Sequence, residues 1–237
     1  MAAEVTTVLF DLDETLCEYI RSGVERLAEA FERADVEPYF TYDEYVREVN
    51  EVGGTESDIR RRESCFVKLA RKKGFDESIG LRVADAYEAL TDYTEMQLLP
   101  DAEQVLDTLA DQYQLGLVTN GGPDTQSPKI DALDIRERFD TIILAGYETA
   151  AKPHPEPFQQ ALSEFDATKE QTVYIGNSLS SDIVGANKYG LQSVWKPHAR
   201  SLDDVNPTAK PTSSSVEIPD YQIDSLQDLT ERPWQSE

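Results

Sequence analysis

Short β-rich runs recur along the C-terminal two-thirds of this chain with helix-length stretches between them: "LGLVTN" (115–120), "TIILAG" (141–146), "TVYIGN" (172–177) and "LQSVW" (191–195). A strand returns parallel to its predecessor only through a crossover connection, and a helix of that length supplies one. The alternation therefore predicts an α/β fold built on a doubly wound parallel sheet. Residues 6–10 add a first strand and "YQI" (221–223) a short last one, preceded by a Pro-, Ser-, Thr- and Asp-rich loop over 201–220.

Between the first strand and "LGLVTN" lie roughly a hundred residues, too many for one crossover helix. Within them "RSGVERLAEAFERADV", "TYDEYVREVNEV", "RRRESCFVKLARKKG" and "LRVADAYEALTDY" carry apolar residues at helical period. The reading is a helical insertion of residues 16–97 after the first strand, leaving a core of 1–15 and 98–237. "LLPDAEQVLDTLADQ" re-enters that core as a helix capped near Asp101.

Open parallel sheets bind ligands beyond the carboxyl ends of their strands. Here those ends deliver Asp11 and Asp13 from the first strand, Thr119 and Asn120 from "LGLVTN", and Asn177 from "TVYIGN", with Asp182 a few residues on. Lys152 follows "TIILAG" in "AAKPHPEPF", where Pro153 and Pro155 stiffen the loop and Glu156 can open a helix. Two carboxylates one residue apart become tolerable when a cation lies between them. Each residue also has a plainer reading: Asp and Thr cap helices, Thr119 and Asn120 can end a strand, Lys152 can be a surface lysine, and Asp182 suits the first turn of a helix. Thr15 reads as closing the turn after the strand, Glu14 as facing solvent, and His154 and His198 as structural. Four sequence-distant clusters converging on one sheet edge favour a site.

Charge narrows the partners. With 22 Lys and Arg against 46 Asp and Glu, the net charge of −24 repels nucleic acid. Such a surface suits a salt-rich cytosol, where the repulsion is screened. No basic leader opens the chain and no 18-residue apolar run occurs, so a soluble cytoplasmic protein without a membrane partner is expected. Cys17 and Cys65 lack metal-ligand spacing and read as reduced thiols. Nothing in the sequence specifies an oligomeric state. Residues 60–73 hold seven basic residues and one acid, either a helix face balancing acidic neighbours or a surface that draws in an anionic substrate.

Taken in order, "DLDET", "LVTNG", the Lys of "KPHPEPF" and "GNSLSSD" resemble the four motifs of the haloacid dehalogenase superfamily, whose members are mostly phosphatases. The resemblance covers about 5–20 and 98–200 and implies a Rossmann-like core, with the insertion similar to that family's C1-type cap. It implies a Mg²⁺-dependent phosphatase acting on a small phosphorylated metabolite. Asp11 would be the nucleophile and Asp13 the acid and base. Thr119 and Lys152 would hold phosphoryl oxygens, helped by backbone N–H groups near Leu12 and Asn120; Asp11, the Asp13 backbone carbonyl, Asn177 and Asp182 would hold the metal. Asn177 departs from the family pattern, which has Asp there. That departure motivates a non-catalytic regulatory alternative, and a metal-free 2-haloacid dehalogenase is another; the latter branch lacks an acid where Asp13 stands. "GNSLS" (176–180) also resembles the G-x-S-x-G elbow of serine hydrolases, with Ser180 in place of the last Gly and His198 as the one downstream histidine.

Overall fold

The computed structural model describes residues 3–51, 58–198 and 218–235. Its main sheet has six parallel strands in the order β5-β4-β1-β6-β7-β8. These are β1 Thr7–Phe10, β4 Gln114–Asn120, β5 Thr141–Ala145, β6 Thr172–Gly176, β7 Gln192–Trp195 and β8 Tyr221–Gln222. The chain leaves central β1 to build β4 and β5 on one side, then crosses to build β6, β7 and β8 on the other. β1 is thus the topological switch point, flanked by β4 and β6, where a parallel sheet leaves a crevice at its strand ends. The expected strands all appear; the expected loop lies outside the described residues up to position 217.

Alternate residues of each strand face opposite sides of the sheet, which splits the core in two. Val8, Phe10, Leu115, Leu117, Val173 and Ile175 pack beneath helix α5 (Ala102–Ala110) and the 3₁₀ segment Leu226–Glu231. Leu9, Val118, Ile143 and Tyr174 pack on the other face against Phe158, Ala161, Leu162 and Phe165 of α7 (Glu156–Phe165) and Ala186 of α8 (Val184–Tyr189). Asp101 sits at the N-cap of α5 as expected, but with φ of +65° and no side-chain capping bond.

Between β1 and α5 the described residues form four helices: α1 Gly23–Arg33, α2 Tyr42–Glu51, α3 Asp58–Lys72 and α4 Glu77–Ala89. Leu27, Phe31, Phe40, Tyr45, Phe66, Leu69, Val83 and Tyr87 give them a core of their own. Their entry and exit are pinned by three-residue strands that the sequence reading left inside the helical insertion. β2 (Cys17–Tyr19) and β3 (Met96–Leu98) pair antiparallel, Cys17 opposite Leu98. Gly80 lets α4 close on α3, since a Cβ there would lie 2.8 Å from the Phe66 carbonyl oxygen. Most of the basic run over 60–73 pairs with neighbouring acids: Arg62 with Glu88, Lys68 and Lys72 with Glu48, Arg71 with Glu77, Lys73 with Glu44. Cys17 and Cys65 are free and buried. Among the described residues no helix is long and apolar enough to cross a membrane.

Candidate active site

Asp11 continues β1 by one residue, its N–H donating to the Ile175 carbonyl of β6 at 2.9 Å. The chain then turns sharply: the Leu12 carbonyl accepts from the N–H groups of Thr15, Leu16 and Cys17, and Glu14 takes up the left-handed region at φ +61°. Thr15 does close this turn, and its hydroxyl also donates to Asp11 Oδ2 at 3.3 Å. Glu14 differs from the solvent-facing expectation. It is half-buried, lines the cavity and accepts a bond from Asn177 Nδ2 at 3.2 Å.

Lys152 is the hub. Its fully buried ammonium donates to Asp11 Oδ1 at 2.7 Å, to Asp182 Oδ1 at 2.8 Å and to the Tyr174 hydroxyl at 2.7 Å, which uses all three of its protons. Asn120 holds the Lys152 main chain from both sides, accepting from its N–H at 2.8 Å and donating to its carbonyl at 3.1 Å. The Asn120 side chain thus positions Lys152. Asp182 lies in the π-helical turn Leu179–Ile183 after β6, its Oδ2 accepting from the Ser178 N–H at 2.9 Å. Gly176 makes room for it: a Cβ there would stand 2.5 Å from the Asp182 Cβ.

One lysine shared by two carboxylates leaves this cluster short of positive charge. Burial raises the Asp11 carboxyl to about 7; Lys152 opposes the rise while Asp182 and Asp13 add to it. Burial works against the Lys152 charge, yet Asp11 and Asp182 hold its pKa above the ordinary lysine value.

Two residues of the site escaped the sequence reading. Lys129, on α6 (Pro123–Ala132), is buried and grips both carboxylate oxygens of Asp13 at 2.8 Å. Tyr174, a buried β6 residue, bonds Lys152 and reaches the Val118 carbonyl at 3.1 Å. Thr119 is buried at the end of β4 and lines the cavity. Asn177 lies between Thr15, whose hydroxyl is 3.5 Å from its Oδ1, and Glu14. The serine-hydrolase alternative finds no support: the Ser178 hydroxyl accepts from the Ser181 N–H as a cap, and His198 bonds Glu18 at 3.2 Å. His154 lies beside Glu156 on the surface.

A cavity of about 480 Å³ opens over these residues and extends to the helical insertion, where Arg26, Tyr45, Arg62, Tyr87 and Tyr93 line it. Among the described residues no three Asp, Glu, His or Cys side chains cluster as a metal cage. What the site offers is the Asp11 and Asp182 carboxylates and the Asn177 amide oxygen, an all-oxygen donor set with a deficit of positive charge around Asp11. Mg²⁺ is commonly held by one or two carboxylates with waters and substrate oxygens completing its shell, so this donor set fits that ion.

The "Haloacid dehalogenase-like hydrolase" family model matches residues 8–196. A glyceraldehyde 3-phosphate phosphatase of Pyrococcus abyssi is 36% identical over 106 residues, 44% of this chain and 44% of that relative, so the chain matches less than half of its length. The ribulose-1,5-bisphosphate 5-phosphatase of Halopiger xanaduensis is 30% identical over 95% of this chain and 98% of its own. Among solved structures, the magnesium-bound HAD-hydrolase YfnB of Bacillus subtilis shares the fold, with a TM-score of 0.68, 24% identity, and coverage of 97% of this chain and 99% of that one.

Proposed function

The chain belongs to the haloacid dehalogenase-like hydrolases, and on that footing we propose that it is a Mg²⁺-dependent, cytoplasmic phosphatase that hydrolyses a small phosphorylated metabolite through an aspartyl-phosphate. The observation that carries this reading is the Lys152 ammonium, held between Asp11 and Asp182 at the ends of β1 and β6. A phosphate dianion repels an attacking carboxylate, and a fixed cation beside the nucleophile offsets that repulsion. Asp11, Asp182, the Asn177 amide oxygen and the Asp13 backbone carbonyl would hold Mg²⁺, which when bound supplies further positive charge to the phosphoryl oxygens.

Among the described residues Asp11 Oδ2 bonds the Thr15 hydroxyl, while Oδ1 meets Lys152, so Oδ2 is the freer oxygen and attacks phosphorus. The bond from phosphorus to the leaving alcohol oxygen breaks, and Asp13 gives that oxygen its proton. Asp13 then takes a proton from the water that releases phosphate and restores Asp11. Lys129 pairs with Asp13, and giving a proton to the leaving group requires Asp13 to turn away from Lys129. Lys152 and the Thr119 hydroxyl orient the phosphoryl oxygens. Helices α1–α4 act as a cap domain over the cavity, shielding the reaction from bulk water. Asp13 favours this reading over halide displacement, since a departing halide needs no proton.

Phosphate release from a panel of metabolite esters, measured with Mg²⁺ and with a chelator, tests the proposal. Release that requires Mg²⁺ is expected for at least one small ester. Release indifferent to chelator, or none from any ester, would overturn it.

A further inference from the structure

Among the described residues, Arg26 is the cavity cation that carries a buried donor atom without a hydrogen-bond partner. It projects from α1 into that cavity, is only 4% exposed, and its Nε has no hydrogen-bond partner. Its guanidinium carbon is 3.9 Å from the centre of the Tyr19 ring and 5.5 Å from that of Tyr87. The neighbouring cations are matched. Lys129, 5.2 Å from the same Tyr19 ring, holds Asp13; Arg62, 5.5 Å from the Tyr87 ring, holds Glu88 and the Tyr45 and Tyr93 hydroxyls. Glu18 lines the same cavity, but its carboxylate is engaged by Gln97 and His198.

A guanidinium carries five N–H donors, and burying it without an acceptor is costly unless something offsets the loss of water. The Tyr19 ring 3.9 Å away supplies part of that as a cation–π contact, and Arg26 lines the cavity. In a chain of net charge −24, a buried guanidinium with an unsatisfied N–H donor beside a cavity is suited to an oxyanion.

We propose that Arg26, beside the Tyr19 ring, is a second anion subsite in the cavity that holds Lys152, and that the substrate is a small phosphate monoester bearing a second anionic group, a carboxylate or another phosphate. The proposal rests on the phosphatase reading for its first phosphate and deepens it by naming the substrate class. One phosphate goes to Lys152 and Thr119, the other anion to the guanidinium of Arg26, and the tyrosines between them line the carbon skeleton.

Three phosphonates, none of which has an ester bond to cleave, test the subsite by binding alone: propylphosphonate, 3-phosphonopropionate and propane-1,3-diphosphonate, titrated calorimetrically in the presence of Mg²⁺. The wild-type chain is expected to bind at least one anion-tailed probe about tenfold or more tightly than propylphosphonate, the worth of one charge-assisted contact. The carboxylate and phosphonate arms show which anion the subsite takes. Arg26→Gln is expected to bring the ratios to within about twofold of one. Arg26→Met, which keeps the stem packed on Tyr19, should do the same and serves if the glutamine variant does not fold. Equal affinities in the wild type, or a preference that survives both substitutions, would overturn the subsite. An intact preference in a chain that releases phosphate from no ester would instead overturn the phosphatase reading and leave the subsite standing.

Discussion

Asp13 and Lys129 form a pair: the buried ammonium finds its counter-charge in the Asp13 carboxylate, and Asp13 must leave it to act on a leaving group. If Asp13 protonates the leaving group, Asp13→Asn should lower kcat on an alkyl phosphate far more than on p-nitrophenyl phosphate, whose leaving group needs no proton. Lys129→Met should show the same bias with a smaller loss; equal losses on both esters would remove the proton-transfer role from the pair. Asp11, Asp13, Lys152 and Asp182 were legible in the sequence because each follows a strand in a run of distinctive residue types. Lys129, Tyr174 and Arg26 were not. Tyr174 reads as one more apolar residue of a buried strand, and its hydroxyl matters only because the sheet order brings β4 and Lys152 against it. Lys129 and Arg26 occupy helices, where a cation is read by default as solvated. Asn120 stands beside the cavity, and its hold on the Lys152 backbone depends on a loop conformation that residue types do not disclose.

The strands and the four helices of the insertion followed from hydrophobic period, whereas β2 and β3, at three residues each, are too short to show one. Helix α6 was passed over for a different reason: its buried face carries Thr125, Gln126 and Lys129, so polarity marks the inside. Packing among the helices of the insertion makes two predictions. Gly80→Ala must push α4 off the α3 backbone and should destabilise the chain by about 1–3 kcal/mol in denaturant unfolding. Glu48, buried on α2, is the second. Burial works to raise its carboxyl, but the hydrogen bonds from Lys68 and Lys72 prevail and hold it below its ordinary value of 4.5. A carboxyl lowered in the folded state stabilises it above the unfolded value, and that contribution is lost as pH falls through the folded one. Glu48→Gln should therefore cost about 1–2 kcal/mol at neutral pH, allowing for the half-exposed lysine ends, and progressively less below pH 4.5. A cost independent of pH would show that the ion pairs contribute nothing.

At the scale of the whole molecule, a net charge of −24 opposes compaction, and added salt screens that repulsion. The unfolding midpoint should rise with KCl well beyond the concentration that saturates simple ion-pair screening; a midpoint that falls with KCl would contradict the expectation. Against this negative field the sheet collects Lys129 and Lys152 at one edge, and the insertion adds Arg26 and Arg62 opposite. On the reading proposed above, this cavity takes up an anionic substrate on an otherwise acidic protein, and Asp11 is the group that reacts with it. Phosphate release by Asp11→Asn tests that claim most directly. The amide keeps an oxygen for Lys152 and the side-chain shape, so the variant should fold and unfold as the wild type does while releasing no phosphate from any ester the wild type hydrolyses in Mg²⁺. Turnover in Asp11→Asn at a rate comparable to the wild type would contradict the account.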